Sequence, residues 1–252
     1  MRPTSPLYWA KLNYTSEMTR RRWIADEVSG NRAALTGNHA RHLTQVLRAQ
    51  VGQHFDVSTG TAVRSATVTS VRADRVEFEL GEAIAQTELA PITVAISIFK
   101  FDRMEWAIEK CAELGIVQIV PVVAGRTEKH LAAAAAKRIE RWRRLVHQAA
   151  EQSRRPSVPE ITEPIKLKDI FSMTSATKIV LSEVERELTL KDALPPDANS
   201  VLLAFGPEGG WTDQELAAFG EAGWASATLG NTILRAETAV IAAVAVVASV
   251  LQ

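Results

Sequence analysis

Two nearly continuous apolar runs, ITVAISI at 92–98 and IVQIVPVV at 116–123, flank a segment of helical periodicity, RMEWAIEKCAEL at 103–114. Apolar runs without polar alternation mark strands covered on both faces, an environment found in parallel sheets packed under helices. Strand, helix and strand within about 30 residues make a βαβ unit, and such a unit commits the chain to a parallel sheet. Asp102, three residues before Glu105, predicts a capping box with Asp102 as the cap, and Gly115 predicts the helix end. Three further apolar runs, KIVLSE, VLLAF and ASATLG, extend the sheet. AAAAAKRIERWRRLVHQAAEQS predicts one long basic helix with Ile139, Trp142, Leu145, Val146 and Ala149 as its apolar stripe. The closing run TAVIAAVAVVASVLQ is apolar all round yet shorter than the ~20 residues that a bilayer needs, so it predicts a buried helix and no membrane span.

The first third of the chain has a different period. ATVTSV and RVEFEL alternate, with Val76, Phe78 and Leu80 on one face and charges on the other, which predicts a small antiparallel sheet or barrel. Upstream, NHARHLTQVLRAQVG places Leu43, Val46 and Leu47 at helical spacing and predicts a helix ending at Gly52. The expected organisation is a strand-rich domain over residues 20–88 and an α/β domain over 90–252, with residues 1–19 an extension of unknown role.

Lys+Arg and Asp+Glu balance at 29 each, but the charge is uneven along the chain. Arg2, Lys11, Arg20, Arg21, Arg22, Arg32, Arg41 and Arg48 crowd the first fifty residues. Arg126, Lys129, Lys137, Arg138, Arg141, Arg143, Arg144, Arg154 and Arg155 form a second basic block. Such clusters are either solvated helix faces or the local electrostatic footprint for a nucleic acid. The single cysteine, Cys111, leaves no internal disulfide, and the five scattered histidines show no metal-ligand spacing. With no signal-like apolar segment in MRPTSPLYWAKLNYT, the expectation is a cytoplasmic protein without a metal.

Three segments end strands at one edge of the predicted sheet: Leu181–Glu183, Ala204–Gly210 and Thr228–Arg235. Ligands of open α/β sheets settle outside the carboxyl ends of the strands, so position alone nominates these loops. GPEGGWTDQEL contains a readable helix start, with Thr212 and Glu215 as a capping box and Trp211 and Leu216 as a hydrophobic staple. Its glycines are either the needs of a plain turn or a means of bringing backbone close to a ligand. A helix start suits an anion. However, no Lys-Ser/Thr follows, no G-x-G-x-x-G occurs, and Glu208 puts negative charge where a phosphate would sit. An uncharged ring or a cationic ligand is the better expectation, with Gly209 the glycine at which a side chain would obstruct it. In LGNTILRAETA, Ile233 and Leu234 offer apolar surface, while Arg235 and Glu237 are expected to be partly buried. They would serve either as a structural ion pair or, in the case of Arg235, to face substrate.

FGPEGGWTDQEL and LGNTILRAETA, in this order near the C-terminus, resemble the RsmE family of 16S ribosomal RNA (uracil-N3)-methyltransferases of the SPOUT superfamily. HLTQVLRAQVG, KFDRMEWAIEKCAELGIVQIVPVVAGRT and RWRRLVHQAAEQSRRPSVPEI resemble further blocks of that family, so the likeness runs from about Arg20 onward. Trp211 stands where a phenylalanine is usual, and Arg41 where a second histidine often precedes His42. The resemblance implies a PUA-like barrel for RNA and a catalytic domain with a deep trefoil knot around a parallel sheet. It also implies S-adenosylmethionine bound in a bent shape at a homodimer interface. The cofactor would contact Leu203, Ala204, Phe205, Gly206, Pro207, Glu208, Gly209 and Gly210, then Leu229, Gly230, Asn231, Ile233 and Leu234, with Leu181 and Ser182 on the third loop. Arg235 would stabilise charge developing on the uracil, with Glu208 or Glu237 as proton acceptor. RNA in 16S rRNA or the small subunit would be held by Arg20, Arg21, Arg22, Arg48, Lys100, Arg103, Arg126 and Arg154. Two alternatives stay open: methylation of another base or a ribose 2′-hydroxyl, and a non-catalytic RNA-binding module for ribosome assembly.

Overall fold

The computed structural model describes residues 22–85, 91–153, 155–195 and 197–251. Residues 1–19, Arg20, Arg21 and Arg154 lie outside the described residues. The described chain divides into two units, the first ending at Ile84 and the second beginning at Ala85.

In the first unit, strands β1 (Arg22–Ile24), β2 (Glu27–Ser29), β3 (Arg32–Thr36), β4 (His54–Ser58), β5 (Val63–Arg72) and β6 (Arg75–Ile84) form one sheet in the order β1-β4-β5-β6-β3-β2. The period-two pattern does what it predicts, sending Ala66, Val68, Val76, Phe78 and Leu80 into one core. The expected helix is corrected. α1 (Gly37–Arg41) passes into a π-helical turn, His42–Val46, which buries Leu43 but leaves Val46 65% exposed. The wider turn rotates Val46 off the stripe that a regular helix would form. Gly52 is not the helix end: Arg48 takes the left-handed conformation there, with φ 52°, while Gly52, φ 88°, turns the chain toward β4.

The second unit is built on an all-parallel sheet. Its strands are β7 (Ile92–Ser97), β8 (Gln118–Val123), β9 (Glu160–Ile161), β10 (Ile165–Lys166), β11 (Thr177–Leu181), β12 (Val201–Phe205) and β13 (Ala225–Ala227). Their order is β10-β8-β7-β12-β11-β13, with β9 also pairing β8. Helices α2 (Phe101–Glu113), α3 (Lys129–Ala135), α4 (Ile139–Gln152), α5 (Leu167–Ile170), α6 (Asp213–Glu221) and α7 (Ala236–Leu251) follow the strands. Alternate strand residues supply two apolar layers. Val94, Ile96, Ile179, Leu203 and Phe205 pack with residues of α2, α4 and α7, while Ala95, Val120, Val180, Leu202 and Ala204 pack with Trp211, Phe219 and Trp224. Pro121 inside β8 costs the ladder little. It falls between the registers of β9 at Ile119 and of β10 at Val122, where that neighbouring edge is interrupted.

Two helix readings are corrected. The N-cap of α2 is Lys100, without a side-chain cap bond, and Asp102 lies inside the first turn. Glu105 instead accepts a bidentate pair from Arg141, at 2.7 and 2.8 Å, so the expected cap partner ties α2 to α4. The long basic helix is two, because a 3₁₀ turn at Ala136–Arg138 separates α3 from α4. Its stripe is as read, with Ile139, Trp142, Val146 and Ala149 buried and Leu145 half-buried against the same core. The closing helix α7 buries Val240, Ala243, Val244 and Val247 but leaves Val246 and Val250 half-exposed, so it is covered on one side rather than all round. No helix among the described residues is long and apolar enough to cross a membrane.

Much of the second basic block serves the fold. Arg138 lies over the Phe101 ring at 4.8 Å, Arg141 pairs with Glu105, and Arg143 pairs with Glu140 and Glu163. Arg155 is buried and donates to the carbonyls of Ala112 and Gly115, at 3.0 and 3.1 Å, closing the C-terminus of α2 where Gly115 turns with φ 100°. Burial pulls its pKa down to about 10, which still leaves the guanidinium charged at neutral pH. Replacing Arg155 with Met removes the side-chain donor from both carbonyls and leaves Ala112 only the long 3.4 Å bond from the Gly115 amide, and urea unfolding should show a loss of about 2–3 kcal/mol. Wild-type stability would mean that the α2 terminus is satisfied without Arg155.

Candidate active site

The carboxyl ends of β11, β12 and β13 open into one cleft of ≈ 490 Å³, formed entirely within the second unit. β12 sits between β7 and β11 in register, Phe205 beside Ile96 and Leu181, so the chains leaving β12 and β11 start side by side. β13 pairs the far side of β11 at Leu181–Ala227, which brings the third loop to the same edge.

The Gly-rich loop after β12 is held at both ends. Gly210 donates to the carbonyl of Pro207 at 2.8 Å, closing a turn, and takes φ 67°. Thr212 caps α6, accepting from the Glu215 amide, while the Glu215 carboxylate accepts from the Thr212 amide at 2.8 Å. Glu215 also accepts from the Gly125 amide at 2.7 Å, joining the loop after β8 to this helix start. Arg126 donates to the carbonyls of Gly209 and Trp211, at 2.8 and 2.9 Å. Trp211 is buried and its indole N–H donates to the Leu181 carbonyl at 3.0 Å, tying the β12 loop to the end of β11.

The glycine requirement falls at Gly210 and not at Gly209. A Cβ on Gly210 would collide with the Glu183 carboxylate on a backbone already at positive φ, whereas a Cβ on Gly209 would meet Arg126 at an ordinary 3.5 Å. The fold has room for a Cβ at Gly209, which itself lines the cleft, so the expected cost of a side chain there falls on a ligand and not on folding. Gly206 is tight as well, since a Cβ there would lie 3.3 Å from the Trp211 ring.

Of the residues nominated from sequence, Leu181, Ser182, Phe205, Gly206, Pro207, Glu208, Gly209, Gly210, Leu229, Gly230, Ile233, Leu234 and Arg235 line the cleft. Leu203 and Ala204 do not. They are fully buried within β12, one in each apolar layer, because a central strand covered on both faces presents no side chain to solvent. Asn231 is exposed and is not part of the lining. Ile233 is 80% exposed, so its side chain is on the cleft rim and not in a closed slot.

The two charges of the last motif part company. Arg235 is exposed, against expectation, and has no ion-pair partner among the described residues. Glu237 is buried in the first turn of α7 and does not line the cleft; the cation beside it is Arg103, 3.8 Å away. The two residues face apart because α7 begins at Ala236, so Arg235 lies outside the helix and Glu237 inside it. Arg103 also donates to Glu208 at 2.8 Å, and the Lys100 ammonium lies 3.9 Å from the same carboxylate. Both cations line the cleft, but Arg103 and Arg126 are engaged by the protein's own loops. Arg22 is half-buried in β1 and Arg48 is exposed.

Sequence reasoning missed Arg103 as a cleft residue and Arg186 altogether. Arg186 follows β11 in a turn whose geometry is set by Glu185. That carboxylate accepts from the amides of Arg186, Glu187 and Leu188, and the Glu187 and Leu188 bonds hold its pKa below the usual range. The signal was a charged run immediately after a strand end, easily taken for a solvated loop. Chemically, the cleft offers close backbone at its glycines, apolar side chains at Leu229, Leu234 and Ile233, and fixed charge of both signs. It suits a small zwitterionic or cationic ligand with an apolar ring.

Gly210→Ala should lower stability by about 1–3 kcal/mol, while Gly209→Ala stays within about 0.5 kcal/mol of wild type. Adding Glu183→Ala to Gly210→Ala should recover only the steric part. Equal unfolding midpoints for the two glycine variants would contradict the assignment.

Residues 85–248 match the family model of the RNA methyltransferase domain. A ribosomal RNA small subunit methyltransferase E from Synechocystis sp. is 32% identical over 225 residues, covering 86% of this chain and 73% of the relative. The Bacillus subtilis protein of the same name is 31% identical over 218 residues, covering 82% and 85%. The crystal structure of a ribosomal RNA small subunit methyltransferase E from Neisseria gonorrhoeae, bound to S-adenosyl methionine, superposes with a TM-score of 0.80 at 32% identity. That match covers 91% of this chain and 97% of the other.

Proposed function

Since the chain belongs to the ribosomal RNA small subunit methyltransferase E family of RNA methyltransferases, we propose that it methylates N3 of a uridine in 16S ribosomal RNA, using S-adenosylmethionine. The observation that carries this reading is the convergence of the three strand-end loops on one cleft, with an uncompensated arginine, Arg235, on its wall.

The cleft suits the cofactor on its own chemistry. Gly206 and Gly210 let the loop pack against Trp211 and Glu183, and together with Gly209 they put backbone rather than side chains on the cleft wall for an adenine edge. Leu229 and Leu234 supply apolar surface, Glu183 and Glu208 negative charge for cationic centres, and Arg186 positive charge for a carboxylate. When bound, S-adenosylmethionine supplies an electrophilic methyl group. The protein's part is to hold the uracil with N3 in line with that group, since positioning accounts for much of the rate of a displacement. N3 must lose its proton, and the charge then spreads to the flanking carbonyl oxygens. Arg235 is free to donate to those oxygens and so favours deprotonation. Of the two acids nominated as acceptor, Glu208 lines the cleft and Glu237 does not, so Glu208 takes this role.

The same reading includes finer features. We infer the trefoil knot of the SPOUT fold for the second unit, a PUA-like RNA-binding role for the first, and a homodimer in the cytoplasm. Trp106, 48% exposed on α2, with half-exposed Val246 and Val250 on α7, is apolar surface that a second copy would cover. Arg22, Arg48, Lys100 and the arginines outside the described residues are the proposed phosphate contacts, which position RNA without reading it.

Labelled S-adenosylmethionine incubated with 16S rRNA or with small subunits should deposit label in 3-methyluridine, identified by nucleoside mass analysis. Label in a ribose or another base, or no heat of cofactor binding at all, would overturn the reading. Arg235→Ala should bind S-adenosylmethionine as wild type does while kcat falls on the order of 10²-fold. Arg48→Ala should weaken RNA binding and flatten its salt dependence by about one unit of slope.

A further inference from the structure

Three segments remote in sequence meet at Arg103. The residue sits in the first turn of α2, its Nη1 donates to Glu208 Oε1 at 2.8 Å, and its Nε lies 3.8 Å from Glu237 Oε1. Glu237 is 5% exposed, and its second oxygen, Oε2, has no hydrogen-bond partner among the described residues. A carboxylate this deep is costly unless a cation compensates it. Arg103 is the one cation within ion-pair distance of it among the described residues. The buried charge therefore holds the guanidinium, and the guanidinium in turn holds Glu208 on the cleft wall. Lys100 is a weaker candidate for that task, being more exposed and 3.9 Å away, where a solvated pair contributes little.

We propose that Arg103 is a positioning residue of this site: forked between Glu237 and Glu208, it sets where the Glu208 carboxylate stands and couples the buried end of α7 to the Gly-rich loop. Glu237 then acts on the cleft without touching it. A guanidinium is suited to this because its separated N–H groups address two carboxylates at once, whereas an ammonium is a single point charge. The inference rests on the reading of the cleft as the cofactor and substrate site, but its structural half is independent of any ligand.

The test uses the full chain in two arms. In the cofactor-free arm, hydrogen exchange is followed at the Gly210 amide, which donates to Pro207. Arg103→Met and Glu237→Gln should each speed that exchange about threefold or more, and the double variant should exchange no faster than Arg103→Met alone. Arg103→Lys should not restore protection. In the second arm, the Kd for S-adenosylmethionine should weaken about tenfold in Arg103→Met, with the Glu237→Gln effect again absent in the Arg103→Met background. Should Arg103→Met fail to fold because Glu237 is stranded, the double variant with Glu237→Gln removes that charge and serves in its place, against Glu237→Gln alone. Effects that multiply in the double variant, or a Glu237→Gln protein within twofold of wild type in both arms, would overturn the proposal. A wild-type protein that binds no S-adenosylmethionine would defeat the proposed function, and the exchange arm would still decide the role of Arg103.

Discussion

The backbone ladder that holds β12 between β7 and β11 is the constraint on which the rest of this protein depends. Every residue of β12 is buried, and its register sets Phe205 beside Leu181 on one side and Ile96 on the other. A strand in that position cannot slip by one residue without exchanging its two apolar faces, because side chains alternate with period two. Whatever leaves its carboxyl end therefore leaves at a fixed height, next to the chain leaving β11. The Gly-rich loop has its place in the cleft because of that register, before any of its own contacts are counted.

Those contacts then hold the loop in one shape. Trp211 reaches across to the Leu181 carbonyl, Arg126 takes two carbonyls of the loop, and Glu215 serves both its own helix cap and the Gly125 amide. Each bond satisfies a backbone group that would otherwise be orphaned at a helix start or a strand end. The result is a glycine-rich loop fixed on the cleft wall beside Trp211 and Glu183. A site whose work is positioning needs that rigidity, since small displacements of reacting groups cost rate steeply.

Charge has been divided between fold and site. Arg138, Arg141, Arg143 and Arg155 look in the sequence like part of a polyanion-binding block, yet they pair with Glu105, Glu140 and Glu163, lie on an aromatic ring, or close a helix. Arg103 and Arg126 brace the cleft from within. Arg235, by contrast, has no partner to neutralise it among the described residues, and a charge left open at a cleft is available for substrate.

The sequence by itself determined the parallel sheet of the second unit, the antiparallel pairs of the first though not the parallel pairing of β1 with β4, the capping box at Thr212 and the identity of the three loops. Those follow from local periods of two and 3.6 residues and from turn chemistry, which are properties of neighbouring residues. The family likeness was legible for the same reason, since GPEGGWTDQEL and LGNTILRAETA are contiguous. Only the tertiary structure decided which charges face which. Asp102 gave up its expected cap, Glu105 went to Arg141, Arg235 stayed exposed, and Glu237 found Arg103 from more than a hundred positions away. Ion pairs and buried carboxylates are satisfied by whatever the fold brings within a few ångströms, and no spacing along the chain encodes that distance. Gly210 shows the same division. Its neighbour in sequence, Gly209, looks identical, but only a backbone at positive φ against Glu183 makes one of them obligatory.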